Sequence, residues 1–493
     1  MKRSSGILMP IASLPSNYGI GTMGRAAYDF IDFLRNAKQK YWQILPVGPL
    51  TDGNSPYSNL SIYAGNDQLI DLDILCQEGL LEPEEFHSLD WGSDSKKIDY
   101  DTVSLNRQKV LKIAAVRGIA KEQQEFIHFK TDKAYWLDDY ALYIALKQAN
   151  NMKPWTQWPE DIRFRDTEAL IKAREELQED IEICKYIQFI FFKQWKELKR
   201  YADEKNIQII GDIPIYTAMD SADVWAGAKW FQLDEKNVPI QVAGVPPDDF
   251  TADGQLWGNP LYRWDMMEAD GFSWWVERIK GALTLYDVIR IDHFRGLESY
   301  WAVPYGEKTA KNGTWIKGPG MKLINALREA CPDTEFIAED LGYLTDDVRK
   351  FLKESHFPGM NVLQFSFDAR DKSGASPDDF IENSICYTGT HDNTTLKGWK
   401  SEAKPADVRK MKRYFHIHFW DNFNWKAIDG GMATKSKLFV AQMQDYLELG
   451  SEARINIPGV PRGNWTWRMS GDVDLDELAI KIGEATVKNK RSE

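Results

Sequence analysis

Short apolar runs recur along this chain, with helix-like patterns between them, and several of the runs end in a carboxylate. The run from Tyr286 to Gly296, with Val288-Ile289-Arg290-Ile291-Asp292-His293-Phe294-Arg295 inside it, is the sharpest case. β-Branched residues bounded by polar ones mark a short buried strand. Side chains alternate along a strand, so Arg290 and Asp292 share one face and Ile289 and Ile291 the other. A buried cation and carboxylate are costly without partners. Alone, the pair reads as a structural ion pair at a strand end. Its repetition in other runs turns the reading toward carboxylates gathered from several strands.

Taken in order, the run 6–11 is a first strand. Ala27, Phe30, Ile31 and Leu34 follow at helical spacing, and 41–47 is a second strand. Strand, helix, strand at this spacing is a βαβ unit and a parallel pair. Further strands are expected at 207–212, 286–292, 335–339, 360–365, 384–388 and 438–443. Eight strands separated by helical patterns predict an α/β fold, a (β/α)8 TIM barrel with large, mostly helical insertions. An open doubly wound sheet is the alternative, with a glycine-rich phosphate turn after its first strand. Gly19, Gly21 and Gly24 match that spacing nominally, but they start well beyond the strand, and no acidic residue ends a second strand near Val47.

Positions 1–493 are read as one catalytic barrel. Within it, 60–200 is a helical insertion after the second strand, with Ile183, Ile187, Ile190, Phe191, Trp195 and Leu198 as an amphipathic stripe. A lid loop and helical insertion are expected over 240–285, after the third strand. The stretch from Gly244 to Pro260 is rich in Gly, Pro and Asp and reads as a loop. Phe250 and Trp257 in it are costly to leave in water, which favours a lid that meets a ligand.

Of 493 residues, 43% are hydrophobic, enough for a large core, and the formal net charge is -13. An acidic surface argues against nucleic acid and anionic membranes and tolerates neutral substrates. The 19 Trp and 20 Tyr supply flat amphipathic rings for binding as well as for the core. Cys76, Cys184, Cys331 and Cys386 lie far apart and read as reduced thiols of a cytoplasmic protein. Pro10 interrupts the apolar run behind Met1-Lys2-Arg3, which argues against a signal peptide. No apolar stretch approaches the roughly 20 residues a bilayer span needs.

Asp212, Asp292, Glu339 and Asp392 each sit at or just beyond the end of an apolar run. Barrel enzymes carry their chemistry at the C-terminal ends of different strands. Carboxylates brought to one mouth perturb each other's pKa. Glycoside chemistry uses that: one stays ionised as nucleophile and another stays protonated for the leaving oxygen. Arg290 is expected to hold Asp292 ionised, and Glu339 to keep its proton beside that charge. His293 and His391 adjoin two of the carboxylates and suit sugar-hydroxyl contacts. No DxDxDG loop, third zinc ligand or GxSxG elbow is evident, so neither a metal site nor a serine hydrolase is expected.

Several motifs together resemble a known family. They are Ser55-Pro56-Tyr57, Gly211-Asp212-Ile213-Pro214-Ile215-Tyr216, the GVPPDDF and GQLWGNP segments of 244–260, and Arg290-Ile291-Asp292-His293-Phe294-Arg295-Gly296. Ile337-Ala338-Glu339-Asp340-Leu341-Gly342, Gly389-Thr390-His391-Asp392-Asn393 and Asn464-Trp465-Thr466-Trp467-Arg468 complete the set. In this order, from about residue 6 to 468, they resemble the 4-α-glucanotransferases of glycoside hydrolase family 77, within the α-amylase clan. The resemblance implies Asp292 as nucleophile, Glu339 as acid/base and Asp392 as the third carboxylate, gripping sugar hydroxyls as the ring flattens. It implies Arg290, His391 and Asp212 on the donor side, and Tyr57, Trp257 and Asn464 around the acceptor sites. It implies a retaining transfer of malto-oligosaccharide and α-1,4-glucan segments to another sugar's 4-hydroxyl, glucose included, with neither metal nor organic cofactor. The chain departs from the family at Asp249, where an aromatic residue is common. An amylase-like hydrolase and a non-catalytic glucan-binding barrel are the alternatives.

Overall fold

The apolar runs become strands of one closed parallel sheet. The computed structural model describes residues 1–247, 251–342, 344–369, 375–460 and 462–492. Its strands are β1 (Ser4–Leu8), β2 (Tyr41–Gln43), β3 (Gln208–Pro214), β4 (Gln241–Val245), β5 (Gln255–Pro260) and β6 (Val288–Asp292). They continue as β7 (Ser299–Pro304), β8 (Thr314–Lys317), β9 (Glu335–Ala338), β10 (Gly359–Val362), β11 (Ser384–Tyr387) and β12 (Leu438–Gln442).

Eight of them pair in the order β10-β11-β12-β1-β2-β3-β6-β9, all parallel. The ends of that order meet where the Ala338 N–H donates to the Pro358 carbonyl at 3.0 Å. Just beyond, Met360 N–H donates to Asp340 Oδ1 at 2.6 Å. The result is a (β/α)8 barrel with helical insertions, as the eight runs predict, and the open-sheet alternative falls. Parallel strands covered on both faces read as continuous apolar runs, which is why these were visible. Gly24, part of the nominal phosphate motif, is glycine for another reason. A Cβ there would meet the Asp71 carboxylate at 1.9 Å.

Between β2 and β3 the chain is mostly helical, with long helices at Tyr100–Lys121, Gln123–Ala149 and Gln178–Glu204. Asp99 caps the first by accepting from Thr102 N–H. The last buries Ile183, Ile190, Phe191, Trp195 and Leu198 and leads directly into β3. Its Trp195 indole donates to the Leu285 carbonyl at 3.2 Å, ahead of β6.

A second, four-stranded antiparallel sheet runs β5-β4-β7-β8. The stretch from Gly244 to Pro260, read from sequence as a loop, thus begins and ends in strands. Short strands flanking a Gly/Pro/Asp-rich connection lack a period long enough to recognise. Asp249 and Phe250 lie outside the described residues.

Candidate active site

Strand register builds the centre of the site. Asp212 on β3 lies opposite Arg290 on β6, and Ile291 lies opposite Ala338 on β9. The next positions, Asp292 and Glu339, therefore end neighbouring strands at the C-terminal mouth. Arg290 Nη1 donates both to Asp212 Oδ2 and, at 3.1 Å, to Asp292 Oδ1. Asp212 is fully buried and Arg290 is 2% exposed, so each is the other's buried ion-pair partner.

The chain reverses at His293, which has a left-handed φ of 54°. That costs a non-glycine residue free energy, and it aims the His293 N–H at Glu339 Oε2, 2.8 Å away. Leu341 N–H reaches the other oxygen, Oε1, at 2.9 Å. Both carboxylate oxygens of Glu339 are thereby fixed beside Asp292. The His293 ring is buried, and burial with nearby Arg295 pushes its pKa down to about 3, so the imidazole is neutral. Trp257 meets it edge-on, with ring centres 4.8 Å apart.

The loops after β2 and β11 and the 451–465 segment bring the remaining groups. The Tyr57 hydroxyl donates to Asp212 Oδ2 at 2.7 Å and lies 3.3 Å from His391 Nδ1. The Tyr57 and His391 rings stack at 4.9 Å, and Trp465 packs against both. His391 Nε2 lies 3.4 Å from Asp392 Oδ2. Asn456 Nδ2 donates to Asp392 Oδ1 at 2.5 Å.

The electrostatics separate the acids. Burial raises Asp392, but His391 and the Asn456 hydrogen bond more than offset it and hold the group down at about 2. Burial lowers His391, and Asp392 more than reverses that, so its pKa is raised. Burial, with Asp212 and Glu339 close by, pushes Asp292 up to about 7 against the pull of Arg290. Burial likewise raises Glu339, against Arg290 and its two N–H donors. Arg290 therefore lowers Asp292 as expected from sequence but does not keep it in the usual carboxylate range. Burial and like charge outweigh it. Both members of the close pair are thus raised, burial first and the like charge of the neighbour adding to it for Asp292.

Of the residues singled out from sequence, Tyr57, Asp212, Arg290, Asp292, Glu339, His391 and Asp392 fall in one contact network. Trp257 joins it through His293. Asn464 sits one residue from Trp465, but its amide is committed to its own loop. It accepts from Ile457 N–H and donates to the Ile457 and Val460 carbonyls. Asn456 and Trp465 were not singled out as site residues. Trp465 lies inside the NWTWR motif, whereas Asn456 has no local pattern to mark it. Among the described residues, no group of three or more His, Cys, Asp or Glu side chains is arranged to hold a metal ion.

An eight-stranded parallel barrel whose mouth gathers carboxyl groups, an arginine and aromatic rings defines a barrel enzyme of carbohydrate-processing type. The model of one family, described as 4-alpha-glucanotransferase, matches residues 9–474. The 4-alpha-glucanotransferase of Clostridium butyricum is 47% identical over 480 residues, covering 97% of this chain and 99% of that one. That of Streptococcus pneumoniae is 44% identical over 503 residues, covering 99% and 100%. The amylomaltase of Streptococcus agalactiae, solved in complex with acarbose, superimposes with a TM-score of 0.96 at 38% identity, covering 99% and 100%. The chain belongs to the 4-alpha-glucanotransferase family, enzymes that transfer hexosyl groups.

Proposed function

We propose that this enzyme disproportionates malto-oligosaccharides by retaining double displacement, with Asp292, Glu339 and Asp392 as its catalytic carboxyl groups. Asp292 attacks C1 of the donor sugar as the α-1,4 bond to the leaving O4 breaks. Glu339 gives its proton to that oxygen, and the reducing-end piece departs. In the second half, an acceptor's 4-hydroxyl attacks C1 and the ester to Asp292 breaks. The hydroxyl proton returns to Glu339. Asp392, anionic throughout, grips hydroxyls of the flattening ring. Arg290, Asp212 and His391 line the donor side, and Tyr57 and Trp257 meet the glucan, with Asn464 shaping the acceptor-side loop. Donors are α-1,4-glucans, and glucose serves as acceptor. The acidic surface suits work on neutral polymers in the cytoplasm, away from nucleic acid and membranes. No helix among the described residues is long and apolar enough to cross a membrane.

The observation that carries this reading is the hydrogen-bonded pairing of strand ends. Arg290 bridges Asp212 and Asp292 while the turn after Asp292 grips Glu339. Retention needs two carboxyls on opposite sides of one bond, close enough to exclude an inverting water. The test is incubation with maltotriose. Transfer gives a ladder of shorter and longer oligomers with glucose and a constant number of reducing ends. Hydrolysis makes reducing ends rise. Asp292→Asn should lower turnover by about 10⁴-fold or more with an unchanged melting curve. Near-normal turnover in that variant refutes the nucleophile assignment.

A further inference from the structure

We infer that Asn456 is a positioning residue for the transfer reaction, acting through Asp392; the inference rests on the reading of Asp392 given above. Asn456 is bound to the β11 loop twice. Its backbone N–H donates to the His391 carbonyl at 3.1 Å. Its side-chain N–H donates to Asp392 Oδ1 at 2.5 Å. Arg454 fixes Asn456 from behind, with Nε donating to the Asn456 carbonyl at 2.7 Å and Nη2 to the Asp392 carbonyl. Downstream, Trp465 N–H donates to the Ile455 carbonyl at 2.7 Å, and its ring packs on Tyr57 and His391.

The Asp392 carboxylate is thus held from two sides, His391 on Oδ2 and Asn456 on Oδ1. A carboxylate held by one donor swings about its last torsion, whereas two donors on different oxygens fix its plane. Fixing that plane matters only when a sugar ring is deforming beside it, so the effect belongs to the transition state. The charged groups that face Asp392 are His391 on its own loop, Arg290 from β6 and Arg454 from the 451–456 segment, with the Tyr57 hydroxyl from the loop after β2. Asn456 adds a donor without adding charge.

The experiment is a double-mutant cycle on the full chain, read with an activated donor, α-maltosyl fluoride, so that slow variants stay measurable. Asn456→Ala and the isosteric Asn456→Asp, which has no N–H to give, should each lower kcat about 10- to 100-fold with KM little changed. In an Asp392→Asn background the same substitutions should lower kcat no further, because the group they orient is gone. Wild-type kcat in Asn456→Ala overturns the inference. So does a loss repeated in full in the Asp392→Asn background, which marks a loop-folding role. Full activity of Asp392→Asn alone sinks the underlying reading of Asp392 instead.

Discussion

A single guanidinium sits between two carboxylates, and it does not serve them equally. Arg290 is bound most closely to Asp212, which is fully buried and offers it no escape to water. Asp292 is the more distant partner, at 3.1 Å, and 27% of its side chain remains exposed. Asp212 therefore raises Asp292 twice over, by its own charge and by engaging the arginine. Asp212→Asn should reverse both effects. On the proposed mechanism Asp292 attacks only when ionised, so activity is lost as pH falls through its folded pKa, here about 7. The acidic limb of kcat/KM for maltotriose should move down by about one unit in Asp212→Asn, even as turnover drops. A limb that stays put or moves up shows that Asp212 does not set the Asp292 charge. The four strand-end acids were legible in sequence because strand ends are short-range features. Asn456 and Trp465 were not, because they reach the mouth only through contacts with loops distant in the chain.

The segment after β11 carries both His391 and Asp392, and its far end is tied down by another buried acid. Asp445, in the short helix Met443–Tyr446 after β12, accepts the Leu396 N–H at 2.6 Å. Thr395 caps the helix Leu396–Glu402 and also donates to the Leu449 carbonyl at 2.7 Å. Burial pushes Asp445 up to about 7. A carboxyl whose folded pKa lies above its unfolded value of about 3.9 favours the fold when protonated. That contribution is lost as pH rises from about 4 to about 7. Asp445→Asn keeps an oxygen for Leu396 and removes the charge. Its melting temperature relative to wild type should rise between pH 4 and pH 7 and level off above, worth on the order of 1–3 kcal/mol. A difference independent of pH shows that the fold does not raise the Asp445 carboxyl above its unfolded value. The barrel strands themselves were readable because each is a buried apolar run. The expected strand at 360–365 overran, since the helix Leu363–Phe367 begins where β10 ends and is equally apolar. The antiparallel strands hid for the opposite reason. β5 is largely exposed and β8 mostly so, and neither shows a clean alternation.

Over the whole molecule, the barrel supplies the acids while two added structures flank its mouth. The antiparallel sheet brings Trp257 against His293 from one side. The 451–465 segment brings Trp465 against Tyr57 and His391 from another. Trp257 is 37% exposed, which is a costly position for an indole unless something covers it. A sugar in an acceptor site would cover it. On the proposed double displacement, the same coverage decides the fate of the glucosyl intermediate. Water, at roughly 55 M, outnumbers any sugar acceptor, so transfer prevails only where the rings hold a sugar and exclude water. Removing one ring should therefore change the product more than the rate of forming the intermediate. Trp257→Ala and Trp465→Ala should each raise the ratio of reducing ends released to glucosyl units transferred, by about 5- to 50-fold, from maltotriose. Adding glucose in excess should restore transfer in both, because a higher acceptor concentration offsets weaker acceptor binding. If either variant loses transfer and hydrolysis in equal proportion, its ring serves the donor or the fold, and the acceptor reading of that side of the mouth is wrong.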